Sequence, residues 1–321
     1  MSIKVIYFEK LSTASHEFIE AFKSPGTEVA YWDQLNDSQK ELCLSQAQYF
    51  IVSAFPVNRQ LLAKAPNVKL VLKTGAGVDN IDLIATDEMG IMVACTPGVN
   101  ANSVAEMTIA QILCLYRKLI FVDKKTKQGE WLMFEHRPFM FEMRGKTHGI
   151  IGMGNIGKQV ARLSKSFGTK IIYFDICRPS AEREEELGIQ YVSFKELLSM
   201  SDIISLHVPL TPLTTNMIGK EELSLMKPNA ILINVSRGKI IDEQALAQAI
   251  ENKRLLGAGM DTFASEPINK DNPLFPFDNV LLTPHVAGGT CDALRKILEM
   301  CFQNIAKMEK GEIPDNLVKK S

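Results

Sequence analysis

The amino-acid sequence predicts an α/β protein with two domains, each built on a parallel β-sheet. Three observations support this fold class. The 321 residues exceed what one typical hydrophobic core accommodates. Short apolar runs rich in β-branched residues recur along the chain, and polar stretches with helical spacing separate them, as in strands connected by helices. A glycine-rich stretch, GIIGMGNIG, starts the second of two series of such runs.

The strand-like runs define the two domains. The first series consists of IKVIYF, EVAYW, QYFIVS, VKLVLKTGAG and IMVAC. The second consists of HGIIGMG, KIIYFD, DIISLHV, AILINVS, LLGAGMD and VLLTPH. Because helical patterns alternate with the strands in both series, each series predicts its own parallel sheet.

Two long helices are predicted outside the sheets. Residues 102–119 form a mostly apolar pattern in which Ser103 is placed to cap the helix and Glu106 to complete a capping box. A second long pattern begins after the last strand-like run, and we expect this helix to pack back on the first domain. The first domain is then discontinuous, with residues 1–98 and 288–321, and the second spans 99–287.

Composition limits the classes of function. The chain is 46% hydrophobic and 23% charged with a formal net charge of −1, so nothing attracts nucleic acid or an anionic membrane. No apolar run approaches the roughly 20 residues of a membrane span, and the N-terminal residues lack a signal-peptide layout. The six cysteines form no Cys-x-x-Cys pair, which predicts reduced thiols and neither a metal site nor disulfides. We expect a cytoplasmic protein.

The glycine-rich stretch predicts a dinucleotide site. Gly152, Gly154 and Gly157 form a Gly-x-Gly-x-x-Gly pattern between a strand and a helix, where glycine permits a tight turn and close approach of a pyrophosphate. Asp175 ends the next strand, about 20 residues on, where a carboxylate accepts hydrogen bonds from a ribose. Asp175 favours NAD over NADP, and the nearby Arg178 leaves some room for NADP. The other cofactor-binding residues expected are Asn155, Ile156, His207, Pro209, Val235 and Asp261.

Three side chains follow strands of the second series. Arg237 follows AILINVS, Glu266 follows LLGAGMD, and His285 ends VLLTPH. In open α/β sheets, ligands bind outside the carboxyl ends of the strands, so these residues are the candidates for chemistry beside a nicotinamide. His207 is expected to pack near the cofactor without reacting.

Several motifs together carry a family resemblance. The glycine-rich loop with Asp175, NVSRG, DTFASEP, TPHVAG, KTGAGVDNID, NSVAE and LHVPLTPLTTNMI resemble those of the D-isomer-specific 2-hydroxyacid dehydrogenases, and the likeness covers nearly the whole chain. This resemblance implies a Rossmann dinucleotide-binding domain and a flavodoxin-like, discontinuous substrate domain. It also implies a homodimer that binds NAD and transfers a hydride between nicotinamide and C2 of a D-2-hydroxy or 2-keto acid.

The resemblance also implies roles for individual residues. His285 is the general acid in carbonyl reduction and the base in the reverse direction, and Glu266 hydrogen-bonds its imidazole. Arg237 holds the substrate carboxylate and carbonyl. The substrate-binding residues implied are Lys73, Gly75, Ala76, Gly77, Arg237 and His285. Backbone amides around Gly75 are expected to cradle the carboxylate in a cleft between the domains.

The substrate and the partner surface remain open in the sequence. Both 3-phosphoglycerate and hydroxypyruvate or glyoxylate fit, because Lys73 either meets a phosphate or is a solvated strand-end lysine. The chain ends soon after the last helix, so we expect no appended regulatory domain. Residues 128–145 are unusually rich in aromatic residues and methionine. We interpret them as a dimer contact rather than a wall of the substrate site.

Two other functions fit the same fold. An NAD-sensing, corepressor-like scaffold without metabolic turnover is the main alternative. It is disfavoured because the sequence has no disordered or basic extension. Formate oxidation is disfavoured because the resemblance leads us to expect a glutamine beside the histidine, where this chain has Glu266.

Overall fold

The structure, a computed structural model, describes residues 2–318. The chain divides into two compact units, Met1–Asn100 with Thr290–Ser321, and Ala101–Gly289. The domain boundaries predicted from the sequence lie after residues 98 and 287, and the two units meet after residues 100 and 289. The substrate-binding role expected of the first domain remains a prediction.

The first unit contains a five-stranded sheet in which every pairing is parallel. Its strands are β1 (Ile3–Tyr7), β2 (Thr27–Tyr31), β3 (Tyr49–Val52), β4 (Leu70–Lys73) and β5 (Met92–Cys95). The five runs of the first series each overlap one of these strands, which confirms their prediction. The strand order β2-β1-β3-β4-β5 is that of flavodoxin-like folds, so the predicted sheet type is confirmed.

Four helices connect these strands. They are α1 (Thr13–Phe22), α2 (Asp37–Gln46), α3 (Arg59–Ala63) and α4 (Leu83–Glu88). Each begins after a side chain that accepts a hydrogen bond from the first turn, and these capping residues are Ser12, Asn36, Asn58 and Asp82. Such caps satisfy backbone donors that a helix leaves without partners.

The second unit contains a seven-stranded parallel sheet. Its strands are β6 (Thr147–Ile151), β7 (Lys170–Phe174), β8 (Ile189–Tyr191), β9 (Ile203–Leu206), β10 (Ile231–Asn234), β11 (Gly257–Met260) and β12 (Val280–Leu282). The order β12-β11-β10-β9-β6-β7-β8 reverses direction between β6 and β9, which is the switch point of a Rossmann fold. All six predicted strands are present. Strand β8 is not among the predicted strands, because this three-residue edge strand is too short to show periodicity.

Seven helices surround this sheet. They are α5 (Ala101–Arg117), α6 (Leu119–Lys127), α7 (Asn155–Ser166), α8 (Ala181–Leu187), α9 (Phe194–Met200), α10 (Lys220–Leu225) and α11 (Glu243–Glu251). The core contains buried residues on both faces of the sheet, including Ile150, Ile204 and Ile233. Parallel strands buried on both faces account for the continuous apolar runs in the sequence.

The predicted helix at 102–119 differs from the structure at both ends. Helix α5 begins at Ala101, so Ser103 and Glu106 lie within it and the predicted capping box at Ser103 is wrong. Lys118 adopts a left-handed conformation with φ of 51°, which ends α5 at Arg117 and starts α6 in a new direction. The sequence gives no signal for this break because Lys118 is neither glycine nor proline.

The last helix, α12 (Cys291–Glu309), belongs to the first unit. Thr290 caps it by accepting from the Ala293 amide, and its apolar face buries Leu298 and Phe302 in the same cluster as Ile19 of α1. The prediction that this helix packs on the first domain is therefore confirmed. Within the described residues, no helix combines the length and apolar character needed to cross a bilayer.

Candidate active site

The glycine-rich turn follows β6 at the switch point of the Rossmann sheet. Gly152 has a φ of 95°, and a Cβ atom added there would collide with the carbonyl of His207, just beyond β9. A Cβ atom at Gly157 would overlap the Gly152 carbonyl. These two glycines are required because the turn packs tightly against its neighbours.

Gly154 has a different role from the other two glycines. No atom lies within 4 Å of the position that its Cβ would occupy, and it is the N-cap of α7 with no side chain to bind the helix amides. Asn155 and Ile156 lie in the first turn of α7, whose backbone amides are donors for an anion. Space beside Gly154 lets a pyrophosphate come close to the backbone amides at the start of α7. The residues present therefore fit the predicted dinucleotide cofactor.

Asp175 follows β7 and connects it to the glycine-rich turn. Its Oδ2 accepts a 2.6 Å hydrogen bond from the Met153 amide, and its Oδ1 accepts a 2.8 Å bond from the Cys177 amide. Each carboxylate oxygen has two acceptor sites, so Asp175 retains capacity for ribose hydroxyls. Arg178, the residue that leaves room for NADP in the prediction, is paired with Glu184.

Two histidines, the buried His148 and the half-buried His207, lie on β6 and just after β9, the two strands at the switch point. Ser205 Oγ bonds His148 Nε2 at 2.8 Å and His207 Nε2 at 2.9 Å. Burial lowers the pKa of both histidines to about 3, and the charge of His207 adds to the effect on His148. Both rings are therefore neutral near neutral pH, which suits His207 for packing and not for proton transfer. Val235 is buried at the end of β10, and Pro209 is exposed after β9.

Asp261 is hydrogen-bonded to the loop that carries His285. It is fully buried, and its Oδ1 accepts hydrogen bonds from Thr283 Oγ1 at 2.6 Å and the Val286 amide at 2.9 Å. Its Oδ2 accepts a 2.8 Å bond from the Ala287 amide. A buried carboxylate needs such partners. The structure thus shows Asp261 binding this loop, while its predicted contact with the cofactor remains a prediction.

His285 and Glu266 form a hydrogen-bonded pair. Nδ1 of His285 lies 2.8 Å from Oε2 of Glu266, and Oε1 accepts a 3.0 Å bond from the Phe263 amide. His285 is a non-glycine residue with φ of 54°, a backbone state that surrounding contacts must hold in place. With Nδ1 facing the carboxylate, Nε2 is the ring nitrogen left for a substrate. The histidine side chain as a whole is 45% exposed.

The environment keeps Glu266 ionised. Burial raises the pKa of this carboxyl, but hydrogen bonds from His285 and the Phe263 amide lower it. The charges of His285 and Arg237 lower it further, and the net pKa lies below its usual value. An ionised Glu266 accepts from Nδ1 of His285 and leaves Nε2 to exchange a proton with a substrate.

Arg237 follows β10, beside the segment that carries Glu266. Nη1 of Arg237 donates a 2.8 Å bond to the Ser236 carbonyl. The backbone carbonyl of Arg237 accepts a 2.9 Å bond from the side-chain amide of Asn234. The next residue, Gly238, packs so closely on the Phe263 backbone that a Cβ atom would overlap it. Because β10, β11 and β12 are neighbours, Arg237, Glu266 and His285 emerge at the same edge of the sheet.

The residues expected to bind substrate in the first unit follow β4. Lys73 is only 7% exposed, and its Nζ donates to the Ser53 carbonyl and, at 2.8 Å, to Asn80 Oδ1. The option of a solvated lysine is therefore wrong, because the ammonium is buried against protein acceptors. Gly75, Ala76 and Gly77 follow in the loop, and the Gly75 carbonyl accepts a 3.1 Å bond from the Thr96 amide. Their binding of the substrate carboxylate remains a prediction.

Several residues that support the site are not among those predicted from the sequence. Thr283 bonds both Asp261 and Gln111 of α5, and Ser205 joins the two histidines. Thr283 lies two residues before His285, so its place in the TPH motif was an available signal. Ser205 gave no signal, because a serine within an apolar strand has no pattern of its own. Within residues 2–318, no group of three or more metal-ligating side chains is placed to hold an ion.

Comparisons with known proteins place these features in context. A family model described as D-isomer specific 2-hydroxyacid dehydrogenase, NAD binding domain, matches residues 109–287. The chain is 44% identical over 269 residues to a glyoxylate reductase of Thermococcus litoralis, covering 82% of this chain and 81% of that protein. It is 37% identical over 313 residues to a D-3-phosphoglycerate dehydrogenase of Archaeoglobus fulgidus, covering 96% of this chain and 58% of that protein.

A solved structure gives the same result. D-lactate dehydrogenase from Aquifex aeolicus, complexed with NAD and lactic acid, matches with a TM-score of 0.85 and 31% identity. The match covers 99% of this chain and all of that chain. The similarity therefore includes residues of both units.

Proposed function

The chain belongs to the D-isomer-specific 2-hydroxyacid dehydrogenase family and is an NAD-dependent oxidoreductase, and we propose that it reduces glyoxylate or hydroxypyruvate to the corresponding 2-hydroxy acid. The hydrogen-bonded pair of His285 and Glu266, with Arg237 beside it, is the observation that carries the proposal. The NAD(H) cofactor supplies or accepts the hydride.

His285 moves the proton in this reaction. Glu266 accepts from Nδ1 and stabilises the imidazolium, so Nε2 donates a proton to the carbonyl oxygen of the substrate during reduction. In the reverse direction the neutral ring takes the hydroxyl proton. Asp261 fixes the loop on which His285 lies, which keeps the ring in one orientation.

Arg237 orients the substrate. Its planar guanidinium presents paired N–H donors that match a carboxylate, which every 2-keto acid substrate carries. Its positive charge also stabilises negative charge that develops on the carbonyl oxygen. The neutral histidines His148 and His207 leave this charge balance unchanged near neutral pH.

The environment of Lys73 favours a substrate without phosphate. The side chain most suited to meet a phosphate in this region is buried on Ser53 and Asn80. Glyoxylate and hydroxypyruvate therefore precede 3-phosphoglycerate as candidates, and the relative of 44% identity is named a glyoxylate reductase. The D-3-phosphoglycerate dehydrogenase relative keeps the phosphorylated acid as the second candidate.

An exposed aromatic surface supports a homodimer. Trp131 is 78% exposed and Phe134 is 61% exposed, and Phe139 lies on the same segment with more than half its surface accessible. Large apolar side chains clustered at a surface are typical of an interface between protein chains. A second copy of this chain is the partner proposed for them.

The cysteines support a cytoplasmic location. All six are free, and Cys177 and Cys291 are exposed. Exposed thiols persist in the reducing environment of the cytoplasm. The NAD-sensing scaffold is not favoured, because the relatives are named as enzymes and the acid–base pair is assembled.

A spectrophotometric assay tests the proposal. NADH oxidation is followed at 340 nm with glyoxylate, hydroxypyruvate, pyruvate and longer 2-keto acids, beside 3-phosphoglycerate oxidation with NAD. We expect turnover with glyoxylate or hydroxypyruvate, and a loss of roughly 10²–10⁴-fold in kcat for His285→Ala. Retained NADH binding in that variant shows that the loss is chemical. Preference for 3-phosphoglycerate would contradict the substrate proposal, and NADH binding without turnover of any acid would favour the scaffold.

A further inference from the structure

The residues after β7 hold an arginine close to the ribose-binding carboxylate. Asp175 is tied to the glycine-rich turn through the Met153 amide, and Arg178 follows three residues later. An arginine at such a place can accommodate the 2′-phosphate that distinguishes NADP from NAD. The position of its guanidinium therefore bears on which dinucleotide the protein prefers.

Arg178 is bound in two ways within its own unit. Its Nε lies 2.7 Å from Glu184 Oε1 and its Nη2 lies 2.9 Å from Glu184 Oε2, which is a bidentate pair. The guanidinium carbon also lies 4.9 Å from the centre of the Tyr191 ring, so one face of the group stacks on an aromatic ring. One edge and one face of the arginine are thus occupied by protein groups.

Glu184 is itself held in place. Its side chain on α8 is only 13% exposed, and the hydroxyl of the buried Tyr173 donates to Oε1. Hydrogen bonds from Arg178 and Tyr173 lower the pKa of Glu184 to about 2, so the carboxylate stays charged at any working pH. The partner that retains Arg178 is therefore hydrogen-bonded to a second residue and ionised.

The charges of the surrounding segment also disfavour a 2′-phosphate. Residues 175–187 contain five carboxylates and two guanidinium groups, and the second guanidinium, on Arg183, is paired with Glu186. A 2′-phosphate placed beside this segment would meet an excess of negative charge. Release of Arg178 from Glu184 would supply a cation at that place.

We propose that Glu184 is a specificity-determining residue, which holds Arg178 on its bidentate pair and so disfavours NADP relative to NAD. The proposal rests on the proposed dehydrogenase function and adds to it a residue that acts on the choice of cofactor. Glu184 acts through Arg178, so it is a positioning residue. Asp175 remains the direct acceptor for the ribose.

Direct binding measurements test this inference. Dissociation constants of NADH, NADPH, ADP and 2′,5′-ADP are measured by titration calorimetry for the wild-type chain and for Glu184→Gln. Glutamine retains one oxygen acceptor for Tyr173 but loses the charged, bidentate partner of Arg178. We expect NADPH and 2′,5′-ADP to bind about tenfold more tightly to the variant, because Arg178 gains a charge-assisted bond to the 2′-phosphate. NADH and ADP should bind nearly as they do to the wild type.

Two variants separate this effect from general electrostatics. Glu186→Gln removes one negative charge from the same helix but leaves the Arg178 pair intact, and we expect no comparable gain in NADPH affinity. The double variant Glu184→Gln with Arg178→Ala should lose the gain, because the released arginine is absent. A gain in Glu186→Gln equal to that in Glu184→Gln, or a gain that persists without Arg178, would overturn the inference.

The remaining outcomes are also distinct. An unchanged ratio of NADH to NADPH affinity in Glu184→Gln overturns the inference and leaves the dehydrogenase function in place. Loss of NADH binding in that variant overturns it as well, because Glu184 would then support the whole site. A wild-type chain that binds neither dinucleotide contradicts the proposed function itself.

Discussion

The backbone carbonyl of Asp261 accepts a 2.7 Å hydrogen bond from the backbone amide of His285. The Asp261 carboxylate then accepts from the next two amides of the same loop. The left-handed φ of His285 is thus fixed by bonds on both sides of the residue. The position of the acid–base group depends on a buried carboxylate that does not touch its ring.

Replacing Asp261 tests this dependence. In Asp261→Asn, an amide N–H₂ group replaces one acceptor oxygen and faces a backbone donor, so the loop loses at least one bond. We expect kcat for 2-keto acid reduction to fall about 100-fold from displacement of His285, and the free energy of unfolding to fall by about 1–3 kcal/mol. Steady-state kinetics and urea unfolding provide the two measurements.

Asp202→Asn is the matched control for this variant. Asp202 also accepts from a backbone amide, Thr147 at 2.8 Å, and pairs with Lys227, but it lies at the amino ends of the strands. We expect a loss of stability without a loss of kcat. If Asp261→Asn keeps the wild-type kcat, the carboxylate does not position His285.

Glu266 is predicted to act through the charge of His285. Glu266→Gln keeps a hydrogen-bond acceptor but removes the negative charge that stabilises the imidazolium. We expect kcat for reduction to fall about 10–100-fold at neutral pH, with little change in NADH affinity. Stopped-flow reduction and equilibrium titration measure the two quantities.

Glu243→Gln controls for damage to the loop. Glu243 accepts from the Ala264 amide at 2.6 Å and from Asn272, so it supports the same segment without contacting His285. Its substitution should affect stability more than catalysis. Equal losses of kcat in the two variants would show that Glu266 acts only as a structural support.

The lowered pKa values of two histidines predict how stability depends on pH. The pKa of both His148 and His207 is lowered to about 3 in the folded chain, against about 6.5 in an unfolded chain. The unfolded state therefore binds more protons between these values. Their contribution to stability is fully present above about pH 6.5 and is lost as the pH falls toward 3.

Urea unfolding between pH 4.5 and 7.5 measures this effect. We expect the free energy of unfolding to fall more steeply with decreasing pH in the wild type than in His148→Gln. The variant takes up about one proton fewer on unfolding, because it lacks one of the two histidines. The double variant with His207→Gln should be flatter still. Identical pH dependence in all three chains would exclude the two histidines as the cause.

The exposed aromatic segment predicts a dimer that charge disrupts. Trp131→Asp with Phe134→Asp places two carboxylates among apolar side chains that are proposed to face a second copy. We expect light scattering coupled to size exclusion to give twice the chain mass for the wild type and a lower mass for the variant. Leu213→Asp, at a site that is 85% exposed elsewhere in the unit, is the control and should leave the mass unchanged. A monomeric wild type contradicts the dimer.

Local patterns predicted most of the architecture. Buried parallel strands read as apolar runs whatever they pack against, so the apolar runs alone located eleven of the twelve strands in the described residues. They did not locate the start of α5, because Ser103 and Glu106 form the pattern of a cap while the chain becomes helical two residues earlier. Side-chain patterns indicate where a cap is possible, and the surrounding packing selects which site is used.

Some residues of the candidate site could be predicted from local sequence and others could not. Arg237, Glu266 and His285 were found because each follows a strand, and the fold fixes where strand ends meet. Lys73 was left open between two roles, since burial depends on distant partners such as Ser53 and Asn80. A lysine at the end of a strand has the same local sequence whether it is solvated or buried.

Local sequence is enough to predict the two parallel sheets, the glycine-rich turn, and the three side chains that follow β10, β11 and β12, because each of these depends on residues close together in the chain. The contacts of Asp261 with the loop of His285 and of Glu184 with Arg178 are visible only in the folded chain. These contacts depend on direction as well as distance, since a hydrogen bond forms only when donor and acceptor meet in line. The folded backbone sets those directions, and sequence spacing does not.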